Sequence, residues 1–100
     1  MIEIIKGTTP TIKYTYETAD PSLFTTAVMT VKRNHSVLIE RDLTTATIDG
    51  QTIAWTLTQE ETLAVDGTAE IMCNFVAAGI RGASRRTAVE FTTNHKEQVL

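Results

Sequence analysis

The chain has 100 residues and a formal net charge of −3 at pH 7, nine lysines and arginines standing against twelve aspartates and glutamates. A chain of that length has room for one hydrophobic core, and a hydrophobic fraction of 42% beside 21% charged residues speaks for neither disorder nor a membrane span. The acidic balance argues against a general nucleic-acid binder, which needs a strongly basic face to neutralise phosphates, and a lone cysteine, Cys73, leaves no internal disulfide.

Nineteen threonines, with valine, isoleucine and the aromatics, fall in short runs that favour strands throughout the chain. Residues 2–6 read as a first strand, broken by Gly7. They lack the basic start and apolar run of a secretory signal, so the cytoplasm is the expected compartment. Residues 11–17 alternate Ile12, Tyr14 and Tyr16 against Lys13, Thr15 and Glu17, which directs the first set to the core. Asp20-Pro21-Ser22 is a turn, after which Ala27, Met29 and Val31 alternate with Val28, Thr30 and Lys32. Both phases there are partly apolar, so the inward side stays open.

Asn34-His35 separates that strand from one over residues 37–42 and predicts a hairpin. Asp49-Gly50 predicts a second, with Asp-Gly supplying the positive φ angles of a type I′ turn between residues 45–48 and 51–57. Ile53, Trp55 and Leu57 then point one way, Trp55 as the central core aromatic. Thr58-Gln59-Glu60-Glu61 matches a capping box, in which hydroxyl and carboxylate satisfy free backbone donors at a helix start. The turn is expected over residues 59–64, with Leu63 tucked beneath it. Past Asp66-Gly67, the alternation of Ala69, Ile71, Cys73, Phe75 and Ala77 is the clearest inward stripe in the chain. Gly79 and Gly82 bracket a loop, and a last strand opens at Arg85 and Arg86 and carries Val89 and Phe91 inward.

About seven strands with turn signals every ~8–12 residues predict an all-β, immunoglobulin-like sandwich with Greek-key connections and one short helical turn; a small closed barrel is the rival architecture. No repeat, linker or low-complexity run starts a second domain, so residues 1–94 read as a single β-sandwich domain and 95–100 as a polar C-terminal tail.

The search for chemistry yields little. His35 and His95 fall at a turn and in the tail, without cysteine or further histidine spaced for a tetrahedral metal site. Cys73 lies mid-strand on the apolar stripe, where a thiol acts as an inert small hydrophobe. Of the paired carboxylates Glu60 and Glu61, the second is accounted for by the capping box. Asn34-His35-Ser36 matches a glycosylation sequon by chance length alone, and Gly79-Ile80-Arg81-Gly82 does not lead into a helix as a phosphate loop must. No catalytic residue, cofactor, metal, membrane partner or small-molecule substrate is therefore expected.

The surface feature that stands out is Arg81, Arg85 and Arg86, read as a contact for an acidic protein partner projecting from one end of the sandwich. Arginine is enriched at protein interfaces, and no aromatic residue lies between Gly79 and Thr87 to stack a nucleic-acid base. The plainer reading is a solvated basic loop.

The run Gly7-Thr8-Thr9-Pro10-Thr11-Ile12-Lys13-Tyr14-Thr15-Tyr16 resembles the opening of the N-terminal immunoglobulin-like domain of phage baseplate upper proteins. Ala27-Val28-Met29-Thr30-Val31-Lys32, then Thr52-Ile53-Ala54-Trp55-Thr56-Leu57-Thr58-Gln59-Glu60-Glu61-Thr62, then Gly67-Thr68-Ala69-Glu70-Ile71, are similar to that family's successive strands and helical corner. The resemblance covers most of residues 4–93 and implies a phage or prophage structural part of tail or baseplate, in the virion or the host bacterial cytoplasm. Its implied partners are phage structural proteins or further copies of itself. The sequence stops near residue 100, without the family's helical and receptor-binding parts, so a docking or decorating role is implied rather than adhesion. The alternative is a bacterial cytoplasmic module that captures a peptide or protein at an open sheet edge.

Overall fold

Period-two alternation of apolar residues gives each strand one face to bury, and two sheets laid against each other bury both sets. The computed structural model describes residues 2–17 and 20–100. Its strands are β1 (Ile2–Ile5), β2 (Thr11–Thr15), β3 (Phe24–Arg33), β4 (Ser36–Asp42), β5 (Thr47–Asp49), β6 (Thr52–Thr56), β7 (Gly67–Ala77), β8 (Ile80–Ala83) and β9 (Thr87–Thr92). One helix, α1 (Gln59–Leu63), joins β6 to β7, and short 3-10 turns occupy Pro21–Leu23 and Leu43–Thr45.

The larger sheet has the order β1-β9-β7-β3-β4, with β8 also paired to β7; the smaller has the order β2-β6-β5. The chain changes sheet between β1 and β2, β2 and β3, β4 and β5, and β6 and β7, while β1 lies parallel to β9. This is the strand arrangement of an immunoglobulin-like sandwich, an all-β fold, with β2-β6-β5 as one sheet and β9-β7-β3-β4 as the other.

Ala27, Met29 and Val31 face inward, which settles the side that the sequence pattern left open. They meet Ile12, Ile53 and Trp55 from the small sheet, with Ile71, Cys73, Val89 and Phe91 beside them in a continuous core. Trp55 is wholly buried and donates its indole N–H to the Asp42 carbonyl at 2.8 Å, so its one polar atom is satisfied. Tyr16, Phe24 and Phe75 form a second aromatic group, Phe24 stacking on Phe75 with ring centroids 4.4 Å apart. Gly82 stands opposite Phe75 in the ladder, and any Cβ there would run into the Phe75 ring.

The capping box forms as its residues predict: Thr58 accepts from the Glu61 backbone N–H, and Glu61 accepts from that of Thr58. The buried residue of α1 is Thr62, however, and Leu63 is only half-buried beside Gly7. The short helix turns its polar threonine inward because the β1–β2 connection offers it backbone partners. The second hairpin turn is Gly50-Gln51 rather than Asp49-Gly50, since Asp49 still pairs with Thr52 and only Gly50 takes a positive φ of 59°.

Where a loop was expected between Gly79 and Gly82, the chain instead forms the two-residue hairpin Ala78-Gly79 and the strand β8. Both turn residues have positive φ, 50° and 79°, as a type I′ connection requires. Beyond β9, the tail lies along α1 and β1. Glu97 approaches the Lys6 ammonium, Asn94 donates to the Lys6 carbonyl at 2.9 Å, and the Leu100 N–H donates to the Gln59 side chain at 2.7 Å.

Candidate docking surface

The longest strand, β7, organises the surface that carries the arginines. One edge pairs with β3. The other pairs with β9 over residues 67–71 and with β8 over residues 74–77, so β8 and β9 are two halves of one strand interrupted at residues 84–86. Ser84 bridges the interruption, its hydroxyl accepting from the Cys73 N–H and its own N–H donating to the Cys73 carbonyl, both at 2.8 Å. A side chain thus supplies one bond that the broken ladder lacks.

The break decides where the arginines go. Arg81 belongs to β8, opposite Val76, and is not a loop residue; Arg85 and Arg86 precede β9 rather than open it. Arg81 reaches the Asn74 amide oxygen at 3.4 Å, and Arg86 approaches the Glu70 carboxylate at 3.9 Å. Both lie against the outward residues of β7, so they share the outer face of the large sheet and not one end of the sandwich. Arg85 is exposed in the linker between them. Both contacts are long and the Arg86 side chain is 71% exposed, so each guanidinium keeps donors free for another molecule.

Between and beside them lie the outward residues of β3 and β7. Val28, Met72 and Val76 are half-buried, Thr30 and Asn74 are interspersed, and the strip is dimpled by depressions of about 230 Å³ and 150 Å³ against Arg81 and Arg86. On the far flank, Glu40 pairs with Thr30 and Asp42 with Val28 in the β3–β4 ladder, so both acids face outward. The Asp42 carboxyl is held below the usual carboxylate range by bonds from the Thr44 hydroxyl and N–H, and is ionised at neutral pH. The sequence signal for this strip was Val28, an apolar residue in the outward phase of β3; Glu40 and Asp42 carried none, because their strand register was not readable.

The outer face of the small sheet differs. Its depression of about 480 Å³ is lined chiefly by threonines, with Lys13 and Asp49. Thr11 and Thr56 share a hydroxyl hydrogen bond at 3.0 Å, as do Thr15 and Thr52 at 2.9 Å, so much of its bonding capacity is used internally.

The edges are short or interrupted. The ladder of β4 shifts register beside Lys32, and Arg41 on that edge strand points into the sandwich, where it donates to Glu61 at 2.7 Å and to the Thr56 carbonyl at 3.1 Å. Bulges and inward charges of this kind discourage strand addition; β5 offers only three residues.

Cys73 is wholly buried, and burial pushes its thiol above the ordinary value. Burial also pushes Tyr14 up to about 12, and Tyr16 in the same direction. Neither hydroxyl completes a hydrogen bond among the described residues, although Ser84 and Cys73 lie near them. His35 sits at the β3–β4 turn and His95 in the tail, both exposed. Among the described residues no group of three His, Cys, Asp or Glu is placed to hold a metal ion, and no helix is long and apolar enough to cross a membrane.

No protein-family model matches the chain, and no curated protein matches it. Among solved structures it is similar to the extracellular domain of mouse leukocyte-associated immunoglobulin-like receptor 1, a strand-swapped dimer in that crystal. The TM-score is 0.54 at 13% identity, over 91% of this chain and 86% of that one. That likeness is one of fold, and it agrees with the strand order in assigning an immunoglobulin-like sandwich.

Proposed function

We propose that the chain is a non-catalytic structural or assembly module that acts by docking to other proteins, and that those proteins belong to a phage or prophage tail or baseplate. The observation that carries the docking reading is the outer face of the large sheet. There a half-buried apolar strip, Val28, Met72 and Val76, is flanked by charges whose internal contacts are long. An apolar centre with a polar rim containing arginine is the anatomy of a protein interface. The phage assignment is supported by the similarity of residues 7–16 and the later strand segments to baseplate upper proteins.

The edge-capture alternative draws less support, because β4 is bulged and carries an inward arginine and β5 is short. Co-expression with the proteins encoded beside this gene, followed by purification through a tag on this chain, tests the proposal. A stoichiometric complex with a tail or baseplate protein, weakened by Val28→Asp, is expected. Capture of tail proteins to no greater extent than an unrelated sandwich domain refutes it.

A further inference from the structure

The charges on the outer face of the large sheet are arranged by flank, and we infer that this face is built to pair with a second copy of the chain about a two-fold axis parallel to β3 and β7. The inference rests on the docking reading and names one occupant for that surface.

The ladder places the charges in rows. One row runs from Arg81 through Val76 to Thr26, and the next runs through Asn74 and Val28 to Asp42. A third carries Met72, Thr30 and Glu40, with Arg86 beside it, and a fourth carries Glu70 and Lys32. Arg81 and Arg86 therefore lie on the β8–β9 flank, with the acid Glu90 further along β9, and Glu40 and Asp42 on the β4 flank; the middle is apolar and neutral except for the oppositely charged Glu70 on β7 and Lys32 on β3.

Rotation about an axis in the face, parallel to the strands and between β3 and β7, leaves each row at its own height and exchanges the flanks. Arg86 of one copy then meets Glu40 of the other, Lys32 meets Glu70, and Arg81 lies one row from Asp42, about 7 Å along the strand and within reach of an arginine side chain. The alternative axis, perpendicular to the strands, sets arginine flank on arginine flank and acid on acid. The charge pattern thus selects one of two symmetric arrangements, and an isologous interface requires such self-complementarity. Four strands spaced ~4.8 Å apart over about six residues cover roughly 400 Å² per copy, which places the dimer in the weak, transient class.

Sedimentation equilibrium of the chain alone tests this, with circular dichroism verifying that each variant is folded. The parent is expected to dimerise with a dissociation constant on the order of 10–100 µM, weakening with added salt. The Arg81→Glu/Arg86→Glu chain and the Glu40→Lys/Asp42→Asn chain are each expected to lose dimer affinity by roughly tenfold or more. Asparagine at 42 retains an acceptor for the Thr44 cap. Mixed in equal amounts, the two variants are expected to form a heterodimer tighter than either variant's own dimer, because the contacts between positions 86 and 40 become complementary on both sides and one Arg81–Asp42 contact is kept. A parent that remains monomeric at ~1 mM, or a dimer indifferent to both variants, or a mixture that recovers no association, overturns the inference. Because no other protein is present, these outcomes are separate from the tail-protein capture that tests the docking reading.

Discussion

Thr62 is the buried polar residue on which the corner between the sheets depends, and Thr62→Val tests that directly. The side chain is wholly buried; its hydroxyl accepts from the Gly7 N–H at 2.9 Å and donates its single proton to the Thr8 carbonyl at 2.8 Å. These bonds fasten α1 to the β1–β2 connection. Valine has nearly the same shape, so no cavity forms, but both backbone groups lose their partner. The half-buried Gly7 N–H is expected to cost about 1–2 kcal/mol when orphaned, and the more exposed Thr8 carbonyl about 0–1 kcal/mol. The added methyl returns at most about 0.8 kcal/mol. A net loss of about 0.2–3 kcal/mol follows. Thr62→Ser keeps the hydroxyl and loses only a methyl, about 0.8 kcal/mol, whereas Thr62→Ala loses both and falls furthest. Urea denaturation of the four proteins, compared at a common m-value, reads the parent as the most stable and alanine as the least, with serine and valine between them. Valine equal to or above the parent would refute the reasoning, since burial alone would then account for the site.

Trp55→Ala should cost about 3–5 kcal/mol in the same assay, because it empties a wholly buried site and removes one of two hydrogen bonds to the Asp42 carbonyl; a change under about 1 kcal/mol would contradict the core assignment. Ala78→Asn should stabilise the chain by up to about 1 kcal/mol, because asparagine tolerates the φ of 50° that alanine holds at a cost; no gain would indicate a different turn geometry. Cys73 should react with a bulky thiol reagent only as fast as the domain opens, and rapid labelling of the native protein would contradict its register on β7. The Tyr14 phenol, raised to about 12, keeps its proton in the fold where an unfolded tyrosine begins to lose it near ~10, so its contribution is present below that pH and is lost as pH rises towards 12. Absorbance titration at high pH should show this phenolate forming late or together with unfolding, and ionisation near 10 in folded protein would refute its burial.

The features legible in the sequence alone are those whose signal is local. The capping box at Thr58 and Glu61 is a matter of four adjacent residues, and the alternation from Ala69 to Ala77 needs only one strand. At the corner the deciding partner lies far along the chain. Leu63 is the more apolar of its pair, but Thr62 is drawn in by Gly7 and Thr8, more than fifty positions away. Alanine is a poor marker for a positive φ, so Ala78-Gly79 carries little turn signal, and the sequence suggests a loop where β8 forms. Arg41 gave no hint of turning inward, because its acceptors, Glu61 and the Thr56 carbonyl, belong to the opposite sheet and its corner.

The arginines make the same point for the surface. Spacing in sequence grouped Arg81, Arg85 and Arg86 as one loop cluster, yet the interruption at Ser84 leaves Arg81 beside Asn74 and Arg86 beside Glu70, four residues apart along β7. That distance converts a cluster into a flank. A compact basic loop would bind one acidic spot, whereas two separated guanidinium groups read the spacing of two, and the β4 flank carries Glu40 and Asp42 two residues apart, half that interval. The opposite face of the sandwich carries one basic and one acidic residue, Lys13 and Asp49, among threonines, two pairs of which already bond to each other. The fold therefore offers one outer face whose polar groups are largely spent and another with charges ordered across an apolar strip, and the second is where docking is to be sought.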